Sequence, residues 1–400
     1  MATTEVEFNP FLPEFHADPY PFYRRLREQD PVHRTAMGFW VLTRYEDCVA
    51  VLRDQRFGRE EFQQMLTAVY GDDTEKPQLP RSMLFRDPPD HTRLRALVSK
   101  AFTPRTIEVM RGHIQDIVDR LLGRALAQGG MDVMEDLAYP LPVTVICEML
   151  GVPVGDHASI RGWSADIARS LDAIGLPSDQ SIVERGRIAR RQLADYFRAL
   201  VPERRARPQP DLLSGLLAAE EQGDKLTEPE VIAMCLLLFI AGHETTVNLI
   251  GNGLLALLRH PEQLARVQAD PALVPNAVEE LLRYDSPVQR TARITTEEVD
   301  LAGHHITKGA MVVVALGAAN RDPAQFADPD RLDVTRRDVR HISFGFGIHF
   351  CLGAPLARVE GQIALGALLR RAPGLTLDEP TLEWRESSVL RGLKRLRVRF

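Results

Sequence analysis

The chain has 400 residues, 44% of them hydrophobic and 26% charged, with a formal net charge of −6. That length and apolar content are enough for a large core and exclude a disordered chain, and the acidic balance argues against a nucleic-acid binder. Cys48, Cys147, Cys235 and Cys351 lie far apart with no signal-peptide pattern ahead of them, which is the usage of a reduced, cytoplasmic protein.

In chain order, Met1 to Phe8 shows no apolar anchor. Val32 to Thr35 and Phe39 to Leu42 flank Gly38 and predict a small hairpin, followed by a helix through Asp47 to Leu52. Helical spacing of apolar residues predicts further helices over Thr106 to Leu126, Leu193 to Leu200 and Ala277 to Tyr284. The Arg- and Pro-rich stretch Val201 to Pro210 is the best linker candidate and is read as a loop between helices of one fold. The arginines Arg187, Arg190 and Arg191 are read as a solvated helix face. Strands are scarce: Met311 to Val314, and the end of the chain, where Leu396, Val398 and Phe400 alternate with Arg395, Arg397 and Arg399. The class expected is mainly α with a minor β portion, in a single domain over residues 1–400, without repeats.

Thr227, followed three residues on by Glu230 with Pro229 between, is a capping box that starts a helix. Val231 to Ile240 is apolar on nearly every face, so the helix runs through the protein's centre. The run Val231 to Gly242 is too short to span a bilayer, which needs about 20 residues. Ala241-Gly242-His243-Glu244-Thr245-Thr246 then interrupts the apolar pattern. Polar groups at such depth cost several kcal/mol, on the order of 2–7, unless hydrogen-bonded, which argues for use. Ala241 and Gly242 remove bulk so that a flat ligand or dioxygen can approach the backbone, and Glu244 and Thr245 set an acid beside a hydroxyl. His243-Glu244 also begins a His-Glu-x-x-His zinc motif, but Val247 stands where the second histidine belongs.

The most informative stretch is Phe344-Gly345-Phe346-Gly347-Ile348-His349-Phe350-Cys351-Leu352-Gly353, just ahead of an apolar helical run that contains Pro355. The glycines permit positive φ and a flat approach to something bulky. Cys351 is placed at a helix N-terminus, where the dipole favours a thiolate. With no second cysteine or histidine pair nearby it cannot complete a tetrahedral zinc site, but a lone thiolate can serve as the axial ligand of haem.

On this loop, which matches Phe-Gly-x-Gly-x-His/Arg-x-Cys-x-Gly at every fixed position, the chain resembles the cytochrome P-450 superfamily. The likeness runs from about residue 15 to the C-terminus and is strongest to soluble bacterial members that oxidise macrolides and other secondary metabolites. It implies a cytochrome P-450 fold with a long central helix over haem b, and Cys351 as the iron ligand beside Phe344, Gly345 and Gly353. It implies that Glu244 and Thr245 relay protons so that dioxygen's O–O bond breaks heterolytically, next to Ala241 and Gly242. Haem propionates need cations or donors, and His91, Arg95, Arg293 and His349 match the family's contacts. Glu280 and Arg283 match its Glu-x-x-Arg brace, with Arg331 as the third member, although Leu332 stands where an aromatic is usual.

The implied activity is insertion of one oxygen atom from O2 into a C–H bond, or epoxidation, of a large apolar molecule such as a macrolide, terpenoid or steroid. Substrate contacts are expected from Phe57 to Met83, Ala168 to Gly175, near Ala241, and Ser388 to Leu390. No dinucleotide or ferredoxin fingerprint is present, so ferredoxin and ferredoxin reductase are the expected donors, with NAD(P)H as ultimate source. Lys100, Arg105 and Arg358 are the expected docking cations, and a monomer is expected. A peroxide-driven peroxygenase typically lacks the acid–alcohol pair, and a haem sensor or electron carrier would bring an output domain; both are the alternatives to the monooxygenase.

Overall fold

Trp40-Val41-Leu42 and Met311-Val312-Val313-Val314 are continuous apolar runs, the signature of strands covered on both faces. In the computed structural model, Met311–Val314 pairs parallel with Trp40–Leu42 and antiparallel with Thr291–Thr295, and Val32–Arg34 completes the expected hairpin on Trp40–Leu42. Gly38 sits in the hairpin turn at φ +89°. Phe57–Gly58 is the remaining strand of this sheet. Alternate residues feed two cores. Trp40, Leu42, Val312 and Val314 pack with Cys48, Val51 and Leu52, whereas Val41 and Val313 pack with Phe15, Tyr20, Tyr23 and Leu26.

The structure describes residues 7–62, 82–170, 180–221, 223–378 and 381–400. They are mainly helical with little sheet, as expected. The expected helices lie within Tyr45–Arg53, Pro104–Leu126, Gln180–Ala206 and Val274–Tyr284. At the C-terminus Arg397–Arg399 pairs with Thr376–Leu377 and with Gly130–Asp132. The chain divides into two compact units: Met1–Phe57, Gly112–Pro140 and Thr245–Phe400 form the first, Gly58–Arg111 and Leu141–Glu244 the second.

The central helix spans Glu228–Arg259 without a break through Ala241 to Thr246. Its capping box forms: Thr227 N–H donates to Glu230 Oε2 at 2.8 Å, and Glu230 N–H to Thr227 Oγ1 at 3.4 Å. Arg93 adds an ion pair to the same carboxylate. Among the described residues this is the one helix long and apolar enough to cross a membrane, so the apolar span is longer than the run Val231 to Gly242 alone; 67% of its most apolar window is buried inside the protein, as in a core helix.

The loop read over Val201 to Pro210 is shorter than expected: helix Gln180–Ala206 takes in its first six residues, with Pro202 inside, and 207–210 lie outside any helix. Arg204 explains the continuation: its guanidinium is buried, donates to Asp211 Oδ2 at 2.7 Å and to the Gly151 carbonyl at 2.7 Å, and so fixes the last turn.

Candidate active site

In the first unit, the cysteine loop is rooted by a buried polar knot. Ser343 Oγ donates to the Leu282 carbonyl at 2.7 Å, Asn320 Nδ2 donates to Ser343 Oγ at 2.8 Å, and Ile342 N–H donates to Asn320 Oδ1 at 2.8 Å. The chain then turns through Gly345 at φ +73° and Gly347 at φ +69°, and closes when Cys351 N–H donates to the Phe344 carbonyl at 2.9 Å. Helix Ala354–Arg371 follows with Gly353 at its N-cap, and a Cβ at Gly353 would lie 3.9 Å from Cys351 Sγ. Cys351 is exposed, while Cys48, Cys147 and Cys235 are buried. Burial pushes those three thiols up, Cys147 to about 12 with help from Glu148, so they are inert at neutral pH. Phe344 and His349 are half-buried beside the sulfur's segment.

Arg293 belongs to strand Thr291–Thr295 and is buried, donating to the Ala292 carbonyl at 2.9 Å. Thr245 opens this unit's share of the central helix and is half-buried. Its neighbour Thr246 hydrogen-bonds Glu360, a fully buried carboxyl that burial pushes well above the usual range. Neither residue stands out in the sequence; the one available signal for Glu360 is an acid inside the apolar run of its helix.

The structure corrects the third member of the Glu-x-x-Arg brace. Glu280 and Arg283 form a fully buried bidentate pair at 2.7 and 2.8 Å. Arg336, not Arg331, then reaches Glu280, while exposed Arg331 contributes its carbonyl to Arg283 at 3.2 Å. Arg358, expected among the docking cations, is engaged by Glu279 at 2.7 and 2.8 Å and lies 4.6 Å over the Phe344 ring, so it supports the loop.

In the second unit, His91 and Arg95 share helix Asp90–Ala101. His91 is buried, and burial lowers its proton affinity, with the Arg95 charge lowering it further; four residues apart on one helix, the two share a face as their spacing predicts. On the central helix, Ala241 is exposed and Gly242 half-buried, whereas His243 and Glu244 are buried. A Cβ at Gly242 would sit 3.3 Å from Ile146, so the glycine serves close packing against that residue. His243 Nδ1 donates to the Phe239 carbonyl at 3.0 Å, and its Nε2 meets Ser164 Oγ at 3.0 Å. Sequence reasoning used His243 only to discard a zinc motif and passed over Ser164.

Of the expected substrate segments, Ser388 to Leu390 is described, with Leu390 bridging Val288 and the Val389 carbonyl accepting from Gln289 N–H at 2.8 Å. Residues 63–81 of the first segment, 171–175 of the second, and the first six of the N-terminal stretch lie outside the described residues.

Taken unit by unit, the residues suit haem by their chemistry: in the first an accessible thiol on a glycine-bearing loop and the buried cation Arg293, in the second buried His91 and the small pair Ala241-Gly242 on a core helix. The comparisons agree. The family model "Cytochrome P450" matches residues 12–373. The polyketide biosynthesis cytochrome P450 PksS of Bacillus subtilis is 42% identical over 98% of both chains, and its solved structure superposes with a TM-score of 0.89 over 98% of this chain and 99% of that one. Vitamin D(3) 25-hydroxylase of Pseudonocardia autotrophica is 43% identical over 100% of this chain and 98% of its own length. The 6-deoxyerythronolide B hydroxylase of Saccharopolyspora erythraea is 41% identical over 96% and 97%. The chain therefore belongs to the cytochrome P450 family and is a haem-thiolate monooxygenase that works with a small-molecule substrate and redox partners.

Proposed function

We propose that residues 1–400 act as one cytoplasmic monooxygenase domain that inserts one oxygen atom from O2 into a C–H bond of a large, mostly apolar molecule, a macrolide, terpenoid or steroid. Cys351 is the thiolate ligand of haem b in this reading, and ferredoxin and its reductase deliver electrons from NAD(P)H. The observation that carries it is the position of Cys351: the exposed thiol among the described cysteines, on a loop closed by its own N–H. Substrate size is supported by two relatives whose names specify vitamin D(3) and 6-deoxyerythronolide B, both large and predominantly apolar.

Bound haem supplies a thiolate-ligated iron that favours O–O cleavage. The chain's own residues do the rest. His91, Arg95, Arg293 and His349 hold the propionates, and Phe344, Gly345 and Gly353 shape the loop around the sulfur. Exposed Ala241 leaves room beside the helix, while Gly242 lets the helix pack closely on Ile146. Thr245 passes its hydroxyl proton toward dioxygen, and the adjacent carboxyl of Glu244 restores it.

The test is spectroscopic and then catalytic. Reduced protein under carbon monoxide should give a thiolate-type spectrum, and turnover of a macrolide or steroid panel should require a ferredoxin–reductase pair. An imidazole-type carbonyl spectrum, or equal turnover with peroxide and no reductase, would overturn the proposal.

A further inference from the structure

Glu244 does not stand alone in its helix. Deep in the second unit, Ser164, His243 and Glu244 form a contact chain whose side chains are 0, 1 and 2% exposed. Ser164 comes from helix His157–Ser170, and the other two from the central helix. The Phe239 carbonyl can only accept, so His243 Nδ1 carries hydrogen in either charge state of the ring. All chemical choice is left to Nε2, which faces Ser164 Oγ at 3.0 Å and Glu244 Oε1 at 3.4 Å.

In the neutral ring, Nε2 is purely an acceptor. Its single lone pair takes one hydrogen, from the Ser164 hydroxyl at 3.0 Å or from a protonated Glu244 at 3.4 Å, and Ser164 holds the shorter contact. In the charged ring, Nε2–H points to an ionised Glu244 and Ser164 accepts or turns away. In both states the pair is electrically compensated, which a buried acid requires, and in both Nε2 lies within reach of the carboxyl. We infer that His243 is a positioning residue that aims the Glu244 carboxyl, and that Ser164 sets the imidazole's acceptor face from a neighbouring helix.

The inference rests on the proposed role of Glu244, and it adds a consequence. Helix His157–Ser170 leads into the segment expected to contact substrate, Ala168 to Gly175. Ser164 Oγ to His243 is a polar tie from that helix toward the acid, so a change in how the helix sits would reach the carboxyl through the imidazole.

The test uses haem-loaded full-length protein in its ferrous carbonyl form, labelled with 15N-histidine, with the His243 signals assigned by their loss in His243→Asn. The expected result is an Nδ1–H tautomer whose Nε2 signal moves in Ser164→Ala and returns in Ser164→Thr. Product formed per NAD(P)H in Ser164→Ala should fall about tenfold, the scale of a misaimed reacting group, with KM changed less than twofold and the urea midpoint unchanged. An Nε2–H tautomer, or a Ser164→Ala variant with unmoved nitrogen signals and unaltered coupling, would overturn the inference. If the parent protein lacks a thiolate-type carbonyl spectrum, the proposed function fails instead, and the nitrogen signals still decide whether Ser164 sets the ring.

Discussion

Arg336 Nε lies 3.1 Å from Glu280 Oε2, capping a carboxylate that Arg283 already grips from within the same helix. Glu280 and Arg283 are both 0% exposed. Removing one member of such a pair leaves an uncompensated buried charge, so Glu280→Ala should cost about 3–5 kcal/mol. Arg336, itself mostly buried, should cost about 1–3 kcal/mol when replaced by Ala, from the charge-assisted bonds it makes to Glu280 and to the Ala327 carbonyl. Arg331→Ala keeps the carbonyl that Arg283 uses and should stay within about 0.5 kcal/mol of the parent. Urea midpoints of the three variants check this ordering; an Arg331→Ala as damaging as Arg336→Ala would reverse the assignment.

Glu279 supports the cysteine loop from the same helix, and its charge makes that support depend on pH. Burial pushes its carboxyl up, but hydrogen bonds from His341 at 3.2 Å and from Arg358 outweigh burial and bring it to about 2. Because the folded value lies below the ordinary 4.5, the pair stabilises fully above that ordinary value and loses its contribution as pH falls from there toward 2. The full swing is up to about 3 kcal/mol at about 1.4 kcal/mol per unit. Urea midpoints between pH 3 and 7 should therefore drop on the acid side in the parent and drop less in Glu279→Gln. An identical slope in both would show that the pair contributes nothing there.

The acid–alcohol pair makes a kinetic prediction. Thr245→Ala keeps the helix and removes the hydroxyl that hands over the proton, so NAD(P)H oxidation should continue while product per NAD(P)H falls by about tenfold or more and hydrogen peroxide rises. Thr245→Ser should recover most of the coupling. Product and peroxide are measured in the same assay, and unchanged coupling in Thr245→Ala would remove the hydroxyl from the relay.

What the sequence revealed was local. The Thr227–Glu230 box and the hairpin about Gly38 are specified within a few residues, and each appears where expected. The cysteine loop is legible for the same reason, since its glycines and its sulfur lie within ten positions. Residues joined across long separations were not legible. Arg331 and Arg336 are both arginines in one irregular stretch, and which of them turns its side chain to Glu280 is a matter of tertiary path that no periodicity reports. Ser164 and His243 lie on different helices. The helix through Pro202 survives because Arg204 finds Asp211 and Gly151, partners that composition alone cannot supply, so the start of a Pro- and Arg-rich stretch reads as loop.

Gly345 and Gly347 share positive φ but differ in what surrounds them, and this separates two costs usually lumped together. At Gly345, φ +73°, an added Cβ would meet nothing nearer than the His349 carbonyl oxygen at 3.8 Å, so alanine there should cost the left-handed backbone penalty alone, about 1–2 kcal/mol. At Gly347, φ +69°, the Cβ would fall 2.4 Å from the Leu52 carbonyl oxygen at the end of helix Tyr45–Arg53. Backbone on a packed helix cannot yield as a side chain can, so the loop must lift instead. Arg53 stacked 4.4 Å over the Phe346 ring would be dislodged with it, and so would the Phe350 N–H bond to the Gly347 carbonyl. Gly347→Ala should therefore cost at least about 2 kcal/mol more than Gly345→Ala. It should also displace Cys351, four residues on, which the carbonyl-adduct spectrum reads as a shift from thiolate-type to inactive absorption. Equal stability and identical spectra for the two variants would mean that the loop does not rest on helix Tyr45–Arg53 as described.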